Sequence, residues 1–295
     1  MVHSLGYRLR GAALSGVFSL GCALAAAFGL SAPALGDTQL ASVGDQQRIT
    51  LEAIIATGAK TLKDRVSFTI SRIKNGAIGP IVATADKSPA EVKLPTGRYR
   101  VATVYGEVSI DSNLDVASST VKHRVNLNAG RVNLKVIPHR GAKAVKGDVE
   151  WEIMTYGRDA SGKRHLVATA RGPHPDLVLP HGFYLVQAKT RDAKVKHTIE
   201  VTAGHTFKYT LNLNAGALRT LALDDAGDLF SGNEVVWEIY RQGAKTPLTA
   251  ITGSTGAFML REGAYTVVAR AGDVTSSAEV AVESGNTKKV NLTLR

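Results

Sequence analysis

The chain has 295 residues, of which 36 are lysine or arginine and 25 are aspartate or glutamate, so its formal net charge is +11 at pH 7. Cys22 is the single cysteine, which excludes a disulfide framework within the chain. Removal of the first 36 residues, argued next, would also exclude a thiol nucleophile and a thiolate metal site. Each folded unit would then depend on its hydrophobic core alone.

Residues 1–36 have the pattern of a secretory signal peptide. Arg8 and Arg10 precede a long apolar run of alanine, leucine and glycine, and small residues follow it. This order of charge, apolar run and small-residue cleavage site is typical of export signals. We predict cleavage after Gly36, with Ala34 as the alternative, and the lack of a twin arginine favours the general secretory route. An exported β protein without disulfides fits the bacterial periplasm, with secretion as the alternative.

Cys22 raises the alternative of a lipoprotein, because residues 19–22 read Ser-Leu-Gly-Cys, which is a distorted lipobox. The apolar run continues beyond the cysteine, and this argues against lipidation. Nothing after residue 36 approaches the apolar length that crosses a bilayer, so no transmembrane span is expected. Residues 37–47 are expected to form a polar leader ahead of the first folded unit.

A motif of the form Leu-Pro-x-Gly-x-Tyr occupies residues 94–99 and organises the rest of the chain. It returns at residues 179–184, an offset of 85, and in a weaker form at residues 260–265, an offset of 81. The third copy has Arg261 where the first two have proline. A recurrence at this length indicates one domain present in three copies.

The copies also share a closing phrase. Asn-Leu-Asn-Ala-Gly occurs at residues 126–130 and 212–216, and residues 290–295 are expected to close the third copy in the same way. A new strand is predicted directly after each Ala-Gly, so the domains should join with almost no linker and form a stiff, elongated rod. The predicted β-sandwiches span residues 48–130, 131–216 and 217–295.

Within the repeated motif, proline presets the backbone for a turn and glycine supplies a positive φ. The alternation after the turn predicts a half-buried strand with the tyrosine on its core face. A buried ring whose hydroxyl bonds to backbone a few residues upstream is the tyrosine corner of β-sandwich folds. Stacking on a substrate is the alternative role. The tyrosines predicted to belong to the structural core are Tyr99, Tyr184 and Tyr265.

An earlier strand in each copy carries a large aromatic residue that we predict to anchor the core. These anchors are Phe68, Trp151 and Trp237, and sugar stacking by exposed tryptophans is the alternative. Turn signals recur about every eight to twelve residues with short alternating runs between them. No amphipathic helical period of useful length follows the signal. The pattern predicts an all-β fold of tandem immunoglobulin-like or transthyretin-like sandwiches.

Together, the Leu-Pro-x-Gly-x-Tyr turn, the aromatic early strand and the closing phrase resemble bacterial carboxypeptidase regulatory-like modules. The resemblance covers most of residues 48–295 and implies sandwiches of about seven strands, often in tandem in envelope proteins. It also implies non-catalytic modules that space, adhere, or bind carbohydrate or protein, and it supplies no shared functional residues. The third copy departs from the motif at Arg261 and Glu262, which weakens the turn match but leaves the tyrosine strand.

The positive charge is concentrated in the middle copy. Residues 37–130 have 12 basic and 9 acidic side chains, residues 131–216 have 14 and 7, and residues 217–295 have 8 and 9. The middle copy also holds six of the eight histidines. A basic exported domain suits an anionic surface such as lipopolysaccharide or an acidic glycan, and plain solubility is the alternative explanation. Nucleic acid is not expected as a partner, because the chain is exported.

No catalytic or cofactor-binding constellation is apparent. The chain lacks a phosphate-binding glycine loop, a Gly-x-Ser-x-Gly elbow, and the His-Glu-x-x-His and Cys-x-x-Cys metal patterns. Two weak metal candidates remain: a histidine–aspartate set for zinc or copper, whose histidines a short strand would separate, and an aspartate loop for calcium, which also reads as a turn. The two sets are His174, Asp176 and His181, and Asp224, Asp225 and Asp228.

The sequence therefore predicts a non-enzymatic exported envelope protein, in which tandem β-sandwiches serve as a spacer or as a protein- or carbohydrate-binding module. The alternative is a binder of an anionic envelope polymer, either lipopolysaccharide or acidic polysaccharide, through the basic middle domain. A third hypothesis is a small periplasmic enzyme built on a sandwich. No cofactor is predicted.

Overall fold

A computed structural model describes residues 46–117, 121–231 and 234–295. Every regular element in these ranges is a β-strand, and 21 strands follow one another along the described chain. They form six sheets, which pair into three tandem β-sandwich domains. The all-β prediction is therefore confirmed. The signal peptide, Cys22 and most of the predicted leader lie outside the described residues.

Each domain contains seven strands. The first domain has β1 (Gln46–Ile54), β2 (Ser67–Lys74), β3 (Ala77–Ala85), β4 (Ala90–Pro95), β5 (Gly97–Tyr105), β6 (Val108–Val116) and β7 (Val121–Asn126). The second has β8 (Ala129–Ile137), β9 (Glu150–Thr155), β10 (Leu166–Arg171), β11 (Asp176–Pro180), β12 (Gly182–Lys189), β13 (Lys194–Val201) and β14 (Thr206–Asn212). The third has β15 (Ala215–Leu223), β16 (Val236–Arg241), β17 (Thr249–Thr252), β18 (Thr255–Arg261), β19 (Gly263–Ala271), β20 (Val274–Val282) and β21 (Thr287–Thr293).

The strand order is the same in all three domains. In the first domain, a three-stranded sheet has the order β4-β1-β7 and a four-stranded sheet has the order β3-β2-β5-β6. The first strand of each domain pairs in parallel with the last, and every other pairing is antiparallel. Because its first and last strands are hydrogen-bonded neighbours, each domain completes its own sheet.

The two sheets of each domain pack around one hydrophobic cluster. Burial alternates along the strands: on β5, Tyr99 and Val101 are buried, whereas Arg98 is exposed and Arg100 is partly exposed. Period-two burial of this kind is expected where one face of a sheet meets the core and the other meets solvent. Within the described residues, no helix is long and apolar enough to cross a membrane.

The strands that open the domains begin two residues earlier than the predicted boundaries. β1 begins at Gln46, inside the predicted leader, because Gln46 pairs with Pro95. β8 begins at Ala129, which pairs with Pro180, and β15 begins at Ala215. The Ala-Gly of the closing phrase is therefore the first part of the next domain's strand, and only two residues separate β7 from β8.

The end of the third domain has a different register from the one predicted. The similarity of the closing residues predicts that Asn291 is equivalent to Asn212. In the structure, the residue that pairs with Leu223 at the end of the opening strand β15 is Thr293. That pairing matches the pairing of Asn212 with Ile137 in the second domain. The equivalent position is therefore a threonine, and the Asn-Leu similarity in residues 290–295 is displaced by two residues.

Candidate functional site

The repeated motif forms the same corner three times. β4 and β5 belong to different sheets and are separated by one residue, so the motif carries the chain from one sheet to the other. In each domain the tyrosine ring is buried and its hydroxyl donates to the backbone carbonyl four residues upstream. The three bonds are Tyr99 to Pro95 (2.8 Å), Tyr184 to Pro180 (2.8 Å) and Tyr265 to Arg261 (2.7 Å).

The acceptor in this corner is a main-chain oxygen, and this explains how the third domain keeps the geometry without proline at Arg261. The glycine that follows is needed for its backbone conformation. Gly97, Gly182 and Gly263 have φ values of 153°, 150° and 147°, a region that side chains other than glycine rarely adopt. These features assign the three tyrosines to packing, and none of their rings lies free for a ligand.

The predicted aromatic anchors also lie inside the domains. Phe68, Trp151 and Trp237 have exposed fractions of 0%, 1% and 0%. The indole nitrogens of Trp151 and Trp237 donate to the carbonyl oxygens of Gly172 and Gly253, both at 2.8 Å. A buried indole with a satisfied N–H is part of the core, so these tryptophans do not form a sugar platform.

The closing phrase is a structural connector between domains. The side chain of Asn126 accepts a hydrogen bond from the backbone N–H of Asn128 at 3.0 Å, and Asn128 has a φ of +46°. Leu127 between them is buried. A Cβ at Gly130 would lie 2.6 Å from the carbonyl oxygen of Thr202, so glycine is required there by close approach of backbone. Residues 212–216 repeat this arrangement.

Side chains also hold the first two domains together, at what we call the first joint. Arg131 of the second domain binds Asp64 of the first at 3.2 Å and also donates to the hydroxyl of Tyr105. The Tyr105 hydroxyl donates to Asp64 at 2.7 Å. Burial is the main cause of the raised pKa of Tyr105, and the hydrogen bond to Asp64 is the second cause. The N–H of Glu107 donates to the carbonyl of Val178 across the same joint, at 3.1 Å.

The second joint, between the middle and third domains, is formed around Asp192. The Asp192 side chain is 4% exposed and pairs with Arg191 at 2.7 Å. It also accepts from the hydroxyl of Thr249 at 2.9 Å and from the N–H of Met259 at 3.2 Å, both in the third domain. Arg191 in turn donates to the carbonyl of Ala257 at 2.5 Å. A buried carboxylate with charged and backbone partners is costly to disrupt.

Both joints use the same parts of the domain. The turn between the fifth and sixth strands of one domain contacts the fourth strand of the next: Glu107 meets Val178 on β11, and Asp192 meets Met259 on β18. In the sequence both segments look like ordinary hairpin turns. A turn sequence gives no signal of what it contacts in another domain.

The metal candidates are placed as follows. β11 lies between His174 and His181, and the ring of His181 is bonded to the carbonyl of Val201 at 2.9 Å. Asp224 accepts from the N–H groups of Ala226 and Asp228 at 3.0 and 2.9 Å, which is a hydrogen-bonded turn. Across the described ranges, no group of three or more His, Cys, Asp or Glu side chains is arranged to hold a metal ion.

The basic excess of the middle domain is only partly neutralised. Arg171 and Lys189 both contact Glu150, at 3.5 and 3.2 Å, and the two arginines at the joints are paired as described above. Several cations have no ion pair to any described residue, and two groups of them lie close together in the chain: one in the loop between β9 and β10, and the other on the edge strand β13. They are Arg158, Lys163 and Arg164, and Lys194 and Lys196.

Residues 131–211 match the family model described as the Rhizobiales growth-associated tandem repeat domain. The matched stretch lies in the middle domain and ends within β14. The comparison with curated proteins gives no match.

Solved structures with some likeness include two streptococcal pilins and a protein of Bacillus anthracis. The TIE protein of Bacillus anthracis is 16% identical over 85% of this chain and 51% of its own, with a TM-score of 0.26, so this chain spans about half of that protein's length. GBS52, the minor pilin of Streptococcus agalactiae, is 13% identical over 56% and 95%, with a TM-score of 0.32. A streptococcal ancillary pilin is 10% identical over 85% and 99%, with a TM-score of 0.33. Likenesses this distant carry nothing about function.

Proposed function

We propose that this chain is a non-enzymatic exported protein of the bacterial envelope, in which three β-sandwiches hold a fixed spacing. The two joints are the observation that carries the proposal. At each joint, two residues connect the strands, and a hydrogen-bonded side-chain cluster links neighbouring domains. Connections of this kind restrict relative motion more than a flexible linker does. Such stiffness suits a protein that holds a partner at a fixed distance from a surface.

The location rests on the signal-like residues 1–36, and we propose the periplasm, with secretion or lipidation at Cys22 as alternatives. We also propose kinship with carboxypeptidase regulatory-like modules, which the seven-strand domains and tyrosine corners support. The family description of the middle domain names a tandem repeat associated with growth, which suits a structural component of the envelope. Turnover of glycans or peptides by the purified chain would contradict the non-enzymatic role.

Small-angle X-ray scattering of residues 37–295 tests the spacer. The opening strand of each domain has 9 residues, or about 30 Å at about 3.3 Å per residue, so three domains in line extend about 90 Å with a radius of gyration near 28 Å. A compact particle of about 250 residues would have a radius of gyration near 18 Å. A value near 18 Å, or the broad distance distribution of freely jointed domains, would reject the spacer.

A second candidate function is the binding of an anionic envelope polymer, either lipopolysaccharide or acidic polysaccharide, by the middle domain. The unpaired cations in the β9–β10 loop and on β13 favour it, because such charges attract polyanions. Surface electrostatics are strongest at low ionic strength, where the screening length is about 30 Å at 0.01 M. Binding that is measurable at low salt and falls with added salt supports this function, and absence of binding at low salt rejects it.

A further inference from the structure

An exposed aromatic pair lies at one end of the four-stranded sheet in the middle domain. Tyr156 follows β9 and Phe183 lies at the start of β12, and their exposed fractions are 53% and 56%. The N–H of Tyr156 donates to the carbonyl of Phe183 at 3.3 Å, so the main chain holds the two residues side by side. The ring centroids are 6.2 Å apart, with the planes inclined at 54°. Two adjacent exposed rings form a larger apolar patch than a single exposed side chain, which makes this pair a candidate contact surface.

The loop from β9 to β10 presents cations beside this pair. Arg164 lies over the ring of Tyr156, with 6.0 Å between the guanidinium carbon and the ring centroid. Its Nε is buried and has no hydrogen-bond partner. Arg158 donates to the carbonyl of Gly162, and Lys163 has no ion pair to any described residue. None of these three cations forms an ion pair with a described carboxylate, since Asp159 of the same loop pairs with His165, so an external anion can pair with them.

The cationic loop is held in shape before any ligand arrives. One carboxylate oxygen of Asp159 accepts from the N–H of Ser161 (2.8 Å), the hydroxyl of Ser161 (2.7 Å) and the N–H of Lys163 (3.0 Å). The Ser161 hydroxyl is the main cause of the lowered pKa of Asp159. His165 lies 3.3 Å from the other oxygen. These bonds of Asp159 fix the conformation of the loop. Cations that are already held in place lose less conformational entropy when a ligand binds.

Among the described residues, this surface occurs in the middle domain alone, and the fold does not need it. In the first domain the equivalent pair is Ile73 opposite Arg98. In the third it is Gln242, whose N–H donates to the carbonyl of Ala264 at 3.1 Å. The same backbone contact therefore forms with quite different side chains. The fold does not require an aromatic pair at this position, so these two side chains are free to serve recognition.

We propose that Tyr156, Phe183, Arg158, Lys163 and Arg164, called the aromatic–cationic patch, bind a segment of acidic polysaccharide. Sugar rings would pack on the aromatic faces, and carboxylates or phosphates of the polymer would pair with the three cations. The inference rests on the proposed polymer-binding function and assigns it a site. A ligand with both ring faces and regular negative charge matches the patch better than one with charge alone.

A membrane surface fits the patch less well. The hairpin loop closed by the N–H of Thr155 and the carbonyl of His165 (2.9 Å) carries Asp159 and Ser161 beside the rings. Inserting the rings into a bilayer would bring these charged and polar groups to the apolar region, which is costly. A single-stranded nucleic acid shares the ring-and-anion chemistry, but the export signal predicted in residues 1–36 separates this chain from it.

The test measures binding of residues 37–295 to polygalacturonate, with neutral dextran as the uncharged probe, at low salt. Lys163→Gln with Arg164→Gln, and Tyr156→Ala with Phe183→Ala, should each weaken binding about tenfold or more. The matched control is Lys143→Gln with Lys146→Gln in the loop between β8 and β9, which removes the same charge from exposed positions of the same domain outside the patch and should change binding less than about twofold. Dextran should bind at least tenfold more weakly than polygalacturonate. In a Trp237→Phe background, unchanged fluorescence of the buried Trp151 checks that the domain stays folded in each variant.

The outcomes separate the site from the function. Equal losses in the patch and control variants would overturn the patch while leaving general polymer binding intact. No binding of polygalacturonate or lipopolysaccharide by any form at low salt would overturn both. Tighter binding to vesicles with one-third anionic lipid, or to a single-stranded oligonucleotide, with the same dependence on the patch, would overturn the polysaccharide assignment in favour of that ligand.

Discussion

Replacing Gly130 with alanine should sharply destabilise the middle domain. The added Cβ would lie 2.6 Å from the carbonyl oxygen of Thr202 and 2.8 Å from a methyl group of Val201, closer than real Cβ contacts allow. One obstacle is backbone, so it cannot rotate away as a flexible side chain would. The strand β8 or the segment after β13 must therefore shift, and the close approach that connects them is lost.

The cost can be worked out from the bonds at this point. The N–H of Gly204 donates to the carbonyl of Ala129 at 2.8 Å, and the N–H of Arg131 donates to the carbonyl of His205 at 2.9 Å. Losing both costs about 2 kcal/mol at about 1 kcal/mol each. Overpacking adds about 1–3 kcal/mol. The total of about 3–5 kcal/mol is a large part of the roughly 4–12 kcal/mol expected for a domain of about 80 residues.

The chain has two tryptophans, so one domain can be followed at a time. In a Trp237→Phe background, the fluorescence of Trp151 reports urea unfolding of the middle domain alone. Gly130→Ala should lower its midpoint by on the order of 2–3 M, or unfold it without urea, at about 1.5 kcal/mol per M. Gly147→Ala is the matched control, because its Cβ would meet no atom within 4 Å. Equal midpoints for the two variants would refute the reasoning.

Three further predictions each concern one residue. Tyr184→Phe removes the donor to Pro180 and should lower the stability of the middle domain by about 1 kcal/mol, read from Trp151. Asp192→Ala leaves Arg191 unpaired at the second joint and should broaden the distance distribution in X-ray scattering. Burial lowers the pKa of His123 in the folded domain below the value of about 6.5 in the unfolded chain. As the pH falls through about 6.5, the unfolded chain binds a proton that the folded domain does not, so the first domain should lose stability. Hydrogen exchange of β7 should report that loss, and His123→Gln should abolish it.

Each of these has an outcome that would count against it. A Tyr184→Phe variant as stable as the parent would mean that water satisfies the Pro180 carbonyl. Unchanged scattering from Asp192→Ala would show that the two-residue connection alone holds the second joint. A pH response of β7 that survives in His123→Gln, compared at equal pH, would place the titrating group elsewhere. Thr190, which bonds Ala193 within its own turn, offers a neutral control for Asp192 as Thr190→Ser.

The features that the sequence predicted well are those that depend on local backbone chemistry. The tyrosine corner needs a turn, a glycine with positive φ and a ring two residues later, so six consecutive residues contain the whole signal. The substitution of proline by Arg261 obscured that signal without changing the geometry, because the acceptor is a carbonyl oxygen. The alternation on β5 likewise needed no knowledge of its neighbours.

The features that were missed depend on which residues become neighbours. Asp192 lies in a turn that any hairpin of this kind would have, and its role appears only when Thr249 and Met259 are brought to it. Strand starts were placed two residues late because pairing with the fourth strand, rather than the motif, determines where β1 and β8 begin. Phe183 could have been noticed in the sequence, because it is an apolar residue on the outward face of its strand, where the other copies have Arg98 and Ala264. That it lies beside Tyr156 could be known only from the register of β9 and β12.

The three copies show how a repeated fold can acquire a local function. The corner and the connector use main-chain acceptors, close glycine contacts and buried rings, so they tolerate little change: the corner recurs in each described domain, and the connector recurs at both joints. The outward sheet face uses none of these, and its residues differ freely, as the exchange of Arg98 for Phe183 and Ala264 illustrates. Substitutions that create a ligand site on that face therefore leave the contacts of the hydrophobic core unchanged. The middle domain can therefore bear an aromatic and basic surface and still stack between its neighbours as a structural unit.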